Sequence, residues 1–235
     1  MIFDPMYFLF LAPAMLLAMI AQLWLKSAYA TAQNQPAPLS GAAAARMILD
    51  HNGLNHVSVQ LSQGMLSDHY DPRAKTVRLS PEVYHSRSLA AVGIAAHETG
   101  HAIQDAESYS PLVLRNAMVP LASTGGNISM GVFFVGLLLS GIMPFVGKIL
   151  VLAAIGLFSV AVFFQLVNLP VEFDASRRAK LILADLNVVD TREGSIVSRV
   201  LSAAAMTYVA ATASSIMTLL YLVLRSGVLG GNNRD

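Results

Sequence analysis

His97-Glu98-Thr99-Gly100-His101 sets two imidazoles four residues apart with a carboxylate beside the first. On an α-helix, residues i and i+4 share a face, so both rings can reach one ion. Glu98 then projects next to that ion without ligating it, which is where a general base for hydrolysis belongs. With 6 His and 5 Glu in 235 residues, chance yields this pattern roughly 0.003 times in such a chain, so coincidence is a weak rival. The chain has 0 cysteines, which removes thiolate zinc sites, iron-sulfur clusters, disulfides and cysteine nucleophiles together. Any metal here is held by His and carboxylate.

Catalytic zinc takes three protein ligands and keeps one position open for water. The other histidines are His51, His56, His69 and His85, and the longer HExxHxxGxxH form is absent, because Gln104 and Glu107 lead into Ser108 with no further His. A carboxylate from a second helix is therefore expected. Glu172 is the best placed: it directly follows a long uncharged run and opens a helix over 172–184. The plainer alternative for Glu172 is an interfacial carboxylate at a helix N-terminus.

The elements that must position these groups are legible as periodicities. Residues 88–106 are Ala-rich, carry apolar residues at helical spacing and contain no Pro, so the motif lies inside one helix. Ala95, Ala96, Gly100 and Ala102 leave room around that helix. Upstream, residues 33–38 form a linker, and Ser40 is an N-cap for a helix through Asp50 that Asn52-Gly53 stops. Val57, Val59 and Leu61 then alternate with polar residues, as do Val77 and Leu79, which predicts a small sheet around a turn at residues 69–73. Thr76–Leu79 is a candidate edge strand for an extended peptide, as β-augmentation requires.

Composition places these elements beside lipid. The chain is 55% hydrophobic and only 12% charged, far from the roughly one quarter charged of soluble domains. A net charge of +1 leaves no basic surplus for nucleic acid. A spanning helix needs about 20 residues with few charges, and four stretches qualify: 3–25, 126–144, 147–168 and 202–224. The middle two read as a hairpin turning near residues 144–148. Ala28-Tyr29-Ala30 has the form of a signal-peptide cleavage site, but Asp4 without Lys or Arg and an overlong apolar run favour a retained first span. The expected organisation is a first span (1–26), a catalytic segment (27–115), a transmembrane hairpin (116–171), a helical segment supplying the third ligand (172–199), and a fourth span with its tail (200–235). The fold class is thus a mainly α membrane protein, four transmembrane helices with a small α+β zincin-like domain. Both polar segments share one side, and all of the 15 Lys and Arg lie there except Lys148, Arg225 and Arg234, which points to the cytoplasmic face of a bacterial-type cell membrane.

Residues 97–106 with the upstream Asp68-His69-Tyr70-Asp71-Pro72, the run 78–84 and the downstream run 203–211 resemble the YugP family of neutral zinc metallopeptidases over most of the chain. The resemblance implies a membrane-embedded zinc metallopeptidase. More distantly, the order of HExxH, membrane hairpin and Glu-Phe-x-Ala is similar to HtpX-type membrane proteases, whose downstream Glu completes the zinc site. That stretch reads Glu172-Phe173-Asp174-Ala175-Ser176 here. The HtpX-type pattern has Asp where this chain has Ser176, so the usual partner of a zinc-bound histidine is missing there, and Asp174 and Asp185 are both candidates to replace it.

The expected function is a membrane-embedded zinc-dependent endopeptidase. One Zn2+ per chain is held by His97, His101 and Glu172, and Glu98 serves as general base. Polypeptide substrates, membrane proteins among them, are its expected partners along with the bilayer. His69 is a candidate to bind substrate or an oxyanion, Asp174 to support a ligand, and Tyr208 to donate from the fourth span, although a phenol there also packs well. The rival reading is a scaffold or regulatory protein with a structural metal site, against which an intact Glu98 argues, since a closed site needs no base. Divalent-cation transport would need ionisable residues within the spans, which have almost none.

Overall fold

The computed structural model describes residues 5–64 and 67–227, and Asn127 by its backbone alone. Its elements are α1 (Pro5–Gln33), α2 (Gly41–His51), β1 (Ser58–Leu61), β2 (His69–Asp71), β3 (Thr76–Leu79), α3 (Pro81–His85), α4 (Leu89–Ala106), α5 (Ser110–Leu139), α6 (Pro144–Asp185) and α7 (Thr191–Arg225). Residues 3–4 of the expected first span, and Arg234 from the charge count, lie outside the described residues.

The chain is mainly helical, and α1, α5, α6 and α7 are each long and apolar enough to cross a membrane. Leu9, Leu23, Leu138 and Phe145 stand exposed on them, which fits a lipid solvent better than water. Boundaries differ from those expected. The turn between the middle helices falls at residues 140–143, because Pro144 starts α6 at the position where its missing N–H costs nothing. The third apolar run and the helix expected at 172–184 are one 42-residue helix that passes through Pro170. A proline inside a helix costs about 3 kcal/mol. Val171, Ala175, Ala179 and Leu183 follow it at i+4 spacing, each fully buried, and burying Val171 and Leu183 alone contributes about 1.5–3 kcal/mol apiece, enough to hold the helix through the break.

The chain forms two compact units. One comprises residues 1–19, 114–168 and 208–235, and the other residues 20–113 and 169–207. The first has a small core of Phe133, Val151, Ala154 and Leu222. In the second, Ile48 and Leu49 of α2, Val77 and Leu79 of β3, Leu89 and Val92 of α4, Leu183 of α6 and Val197 of α7 share one core.

Within the second unit the cap at Ser40 is as the sequence predicts, and Ser88 caps α4 in the same way. Ser40 accepts a hydrogen bond from Ala43 N–H and Ser88 from Ala91 N–H, both at 3.2 Å, so each helix start has a side-chain acceptor for an otherwise orphaned donor. The sheet has the order β1-β3-β2, with β1 parallel and β2 antiparallel to β3. Thr76–Leu79 is therefore the central strand and not an edge. Its Thr76, Val77 and Leu79 are all buried, which only a strand covered on both sides and both faces can satisfy. The turn also sits later than expected, since residues 69–71 are themselves β2. Asp71 Oδ1 accepts from the N–H groups of Arg73 (3.0 Å) and Ala74 (3.1 Å), an Asx turn that closes the hairpin, with Lys75 at φ 49.

Candidate metal centre

The centre is built where α4 and α6 touch. Gly100 permits the approach: a Cβ there would stand 2.8 Å from the carbonyl oxygen of Ala175. Backbone contact of this kind lays the His97 and His101 face of α4 against the turn of α6 that bears Glu172. The two imidazoles meet edge to face with ring centres 4.8 Å apart. His97 Nε2 lies 3.3 Å from Glu172 Oε2, and His101 Nε2 lies 3.7 Å from Oε1. One ligand atom from each of the three residues falls within 4.8 Å of the others.

These donors suit zinc in kind and in spacing. Imidazole nitrogen and carboxylate oxygen bind it at about 2.0–2.2 Å, and a tetrahedral arrangement then separates ligand atoms by about 3.3 Å. Three protein donors also leave one position for water or a substrate oxygen. His101 and Glu172 are buried and His97 is nearly so, so the site can exclude bulk solvent from most of its wall.

The back of each imidazole is held by a residue to which sequence reasoning gave no such role. His101 Nδ1 lies 2.9 Å from Gln104 Oε1, and Gln104 Nε2 donates to Val171 O and to Asp174 Oδ2, each at 2.9 Å. His97 Nδ1 lies 3.2 Å from Ser176 Oγ. Ser176, which stands where an Asp was expected, thus meets the histidine itself. Asp174 reaches the other histidine through Gln104, while Asp185 lines a separate open cavity of about 400 Å³ with His51, Glu107 and Arg178. Gln104 was findable, because i+3 from His101 is a neighbouring position on a helix. Burial raises the Asp174 carboxyl, but hydrogen bonds from Gln104, Arg178 and Arg177 outweigh it and hold the group below its usual range. Arg178 also pairs with Glu107 Oε2 at 2.8 Å.

Glu98 is buried beside the three. Burial pushes its carboxyl up to about 7; the neighbouring His97 works downward and Glu172 upward, with Asp68 raising and His69 lowering it more weakly. His69 is exposed at the start of β2, with Nδ1 2.8 Å from Ser67 O. Tyr208 belongs to the other compact unit, where it is half-buried and its carbonyl accepts from Thr212 Oγ1 at 2.9 Å.

The sequence model of a family described as "Putative neutral zinc metallopeptidase" matches residues 7–227. The chain is also 47% identical over 185 residues to a Bacillus subtilis (strain 168) protein named "Putative membrane protease YugP", an alignment covering 79% of this chain and 80% of that one. No solved structure matches.

Proposed function

This chain belongs to the neutral zinc metallopeptidase family, and from that premise we propose that it is a multi-pass membrane endopeptidase with one zinc per chain held by His97, His101 and Glu172. The observation that carries the reading is the convergence of these three donors, with each imidazole on α4 3.3–3.7 Å from a Glu172 oxygen on α6, beside a buried Glu98 that has no place in the donor set. A merely structural site closes with a fourth protein ligand and needs no adjacent base.

Zinc supplies a Lewis acid that makes water nucleophilic near neutral pH and polarises the scissile carbonyl. The remaining steps fall to the chain. Glu98 takes the proton of the attacking water on a carboxylate oxygen and delivers it to the leaving amine, a role suited to a group poised near 7. Gln104 and Ser176 keep the two imidazoles from rotating. His69, exposed at the start of β2, is the residue we assign to donate a hydrogen bond to a substrate carbonyl.

On this reading α1, α5, α6 and α7 cross the bilayer, the segments 27–115 and 172–199 share one side, and their excess of Lys and Arg favours the cytoplasmic face. Substrates on this reading are membrane proteins or their membrane-proximal segments. Substituting Glu98→Gln tests the mechanism. The variant should bind zinc at the parent stoichiometry and lose hydrolysis by at least about 100-fold. Retained cleavage sinks the role of Glu98; a parent free of zinc after careful purification sinks the metallopeptidase reading and restores the scaffold alternative.

A further inference from the structure

The geometry points to Gln104 as a positioning residue that locks His101 in its Nδ1–H tautomer, so that Nε2 offers its lone pair to the metal before any metal arrives. This rests on reading the site as a zinc centre, and it adds a residue and a task that the family membership does not assign.

The argument needs only the chemistry of donors and acceptors. A backbone carbonyl can only accept a hydrogen bond, and the Gln104 side-chain atom 2.9 Å from Val171 O must therefore be nitrogen. The same atom lies 2.9 Å from Asp174 Oδ2, so the two N–H bonds of one amide are spent on two acceptors. The amide oxygen is left facing His101 Nδ1 at 2.9 Å. An amide oxygen only accepts, so Nδ1 carries the hydrogen, and a neutral imidazole has only one. His101 Nε2 is then bare, and it is the atom 3.7 Å from Glu172 Oε1.

The lock cannot flip. Gln104 is fully buried, and a rotated amide would set its oxygen against two acceptors with no water to relieve them. Asp174 cannot turn away either, because Arg178 Nε holds its Oδ2 at 2.5 Å and Arg177 holds its Oδ1. Val171 immediately precedes Glu172, so one side chain both orients a ligand on α4 and clasps α6 next to the ligand it contributes. His97 Nδ1 meets a different kind of group. Its partner is a hydroxyl, which can donate or accept and so chooses no tautomer.

The full-length protein, labelled with 15N-histidine, stripped of metal in detergent and held where imidazoles are neutral, reads the tautomer by NMR. His101→Ala identifies the signal. A protonated Nδ1 with an unprotonated Nε2 at His101 is the expected result, and a ring protonated mainly at Nε2 overturns the proposal without any Gln104 variant having to fold. Zinc affinity from chelator competition is the second measurement. Gln104→Met should bind about 10- to 100-fold more weakly than the parent, the range seen when the partner of a metal-bound histidine is removed. Unchanged affinity in a folded Gln104→Met overturns the proposal while leaving the zinc site standing. A parent that binds no zinc instead removes the metallopeptidase reading, and the tautomer measurement then judges Gln104 alone.

Discussion

Replacing Gly100 by Ala pits two local effects against each other. Helix propensity favours the change, since Ala is better than Gly inside a helix by about 1 kcal/mol. The tertiary contact opposes it. The added Cβ would stand 2.8 Å from Ala175 O, 3.2 Å from Ala175 Cα and 3.3 Å from its carbonyl carbon, all backbone atoms of α6 that cannot rotate away. Relief requires α4 and α6 to part by about 0.5 Å, and overpacking of this kind costs about 1–3 kcal/mol. The net effect on stability is thus small, between about zero and 2 kcal/mol of loss. The effect on the metal centre is not small. His97 and His101 ride on α4 and Glu172 on α6, so the same 0.5 Å enters the donor spacings directly, against a tolerance of about 0.2 Å in ligand distances. Zinc affinity should fall at least about tenfold while the protein remains folded. Chelator competition reads the affinity, and thermal melts with and without zinc separate it from stability. Gly156→Ala, on α6 with nothing within 4 Å of the new Cβ, is the control and should be neutral or mildly stabilising. A Gly100→Ala protein that melts higher and binds zinc as the parent does would refute the view that close backbone approach sets the donor geometry.

Zinc content should be one per chain in the parent, absent in His97→Ala and reduced in Glu172→Ala; full zinc in Glu172→Ala keeps a metal site but redirects the search for its third donor. Tyr70 OH donates to Asp105 Oδ2 at 2.7 Å, tying β2 to the end of α4, and Tyr70→Phe should lower stability by about 1.5–3 kcal/mol. Burial foremost, then the Asp105 hydrogen bond, pushes the Tyr70 phenol upward, so its contribution is complete below about pH 10 and fades as pH climbs beyond. The melting gap between parent and Tyr70→Phe should accordingly hold steady up to about pH 10 and narrow as pH climbs above it, and a constant gap contradicts the assignment.

Local signals carried far. The two imidazoles on one helical face, the cap at Ser40, the small residues around Gly100 and the long uncharged runs are all readable, because each is a consequence of short-range sterics or of one element's own periodicity. The absence of cysteine confined the donor types in the same way. Bounds proved less legible where packing overrode local preference, as at Pro170, where a buried stripe on α6 carries the helix through a residue that ordinarily ends one. The place of Thr76–Leu79 in its sheet depended on which strands came to flank it, which no property of the strand itself encodes.

The sequence by itself determined which chemical groups were on offer and what kind of element carried each. Tertiary structure decided which of them meet. Glu172 had rivals until α6 lay against Gly100, and the donor spacings exist only in that contact. Ser176 and Gln104 acquired their roles in the same way. Gln104 stands three residues from His101, but the acceptors that orient it, Val171 and Asp174, lie 67 and 70 residues away. The reason is energetic scale: a turn of helix is specified by bonds among residues within four positions of each other, whereas the meeting of distant groups is settled by the summed burial of a whole core. That sum is a property of the packed chain and is not written in any one segment of it.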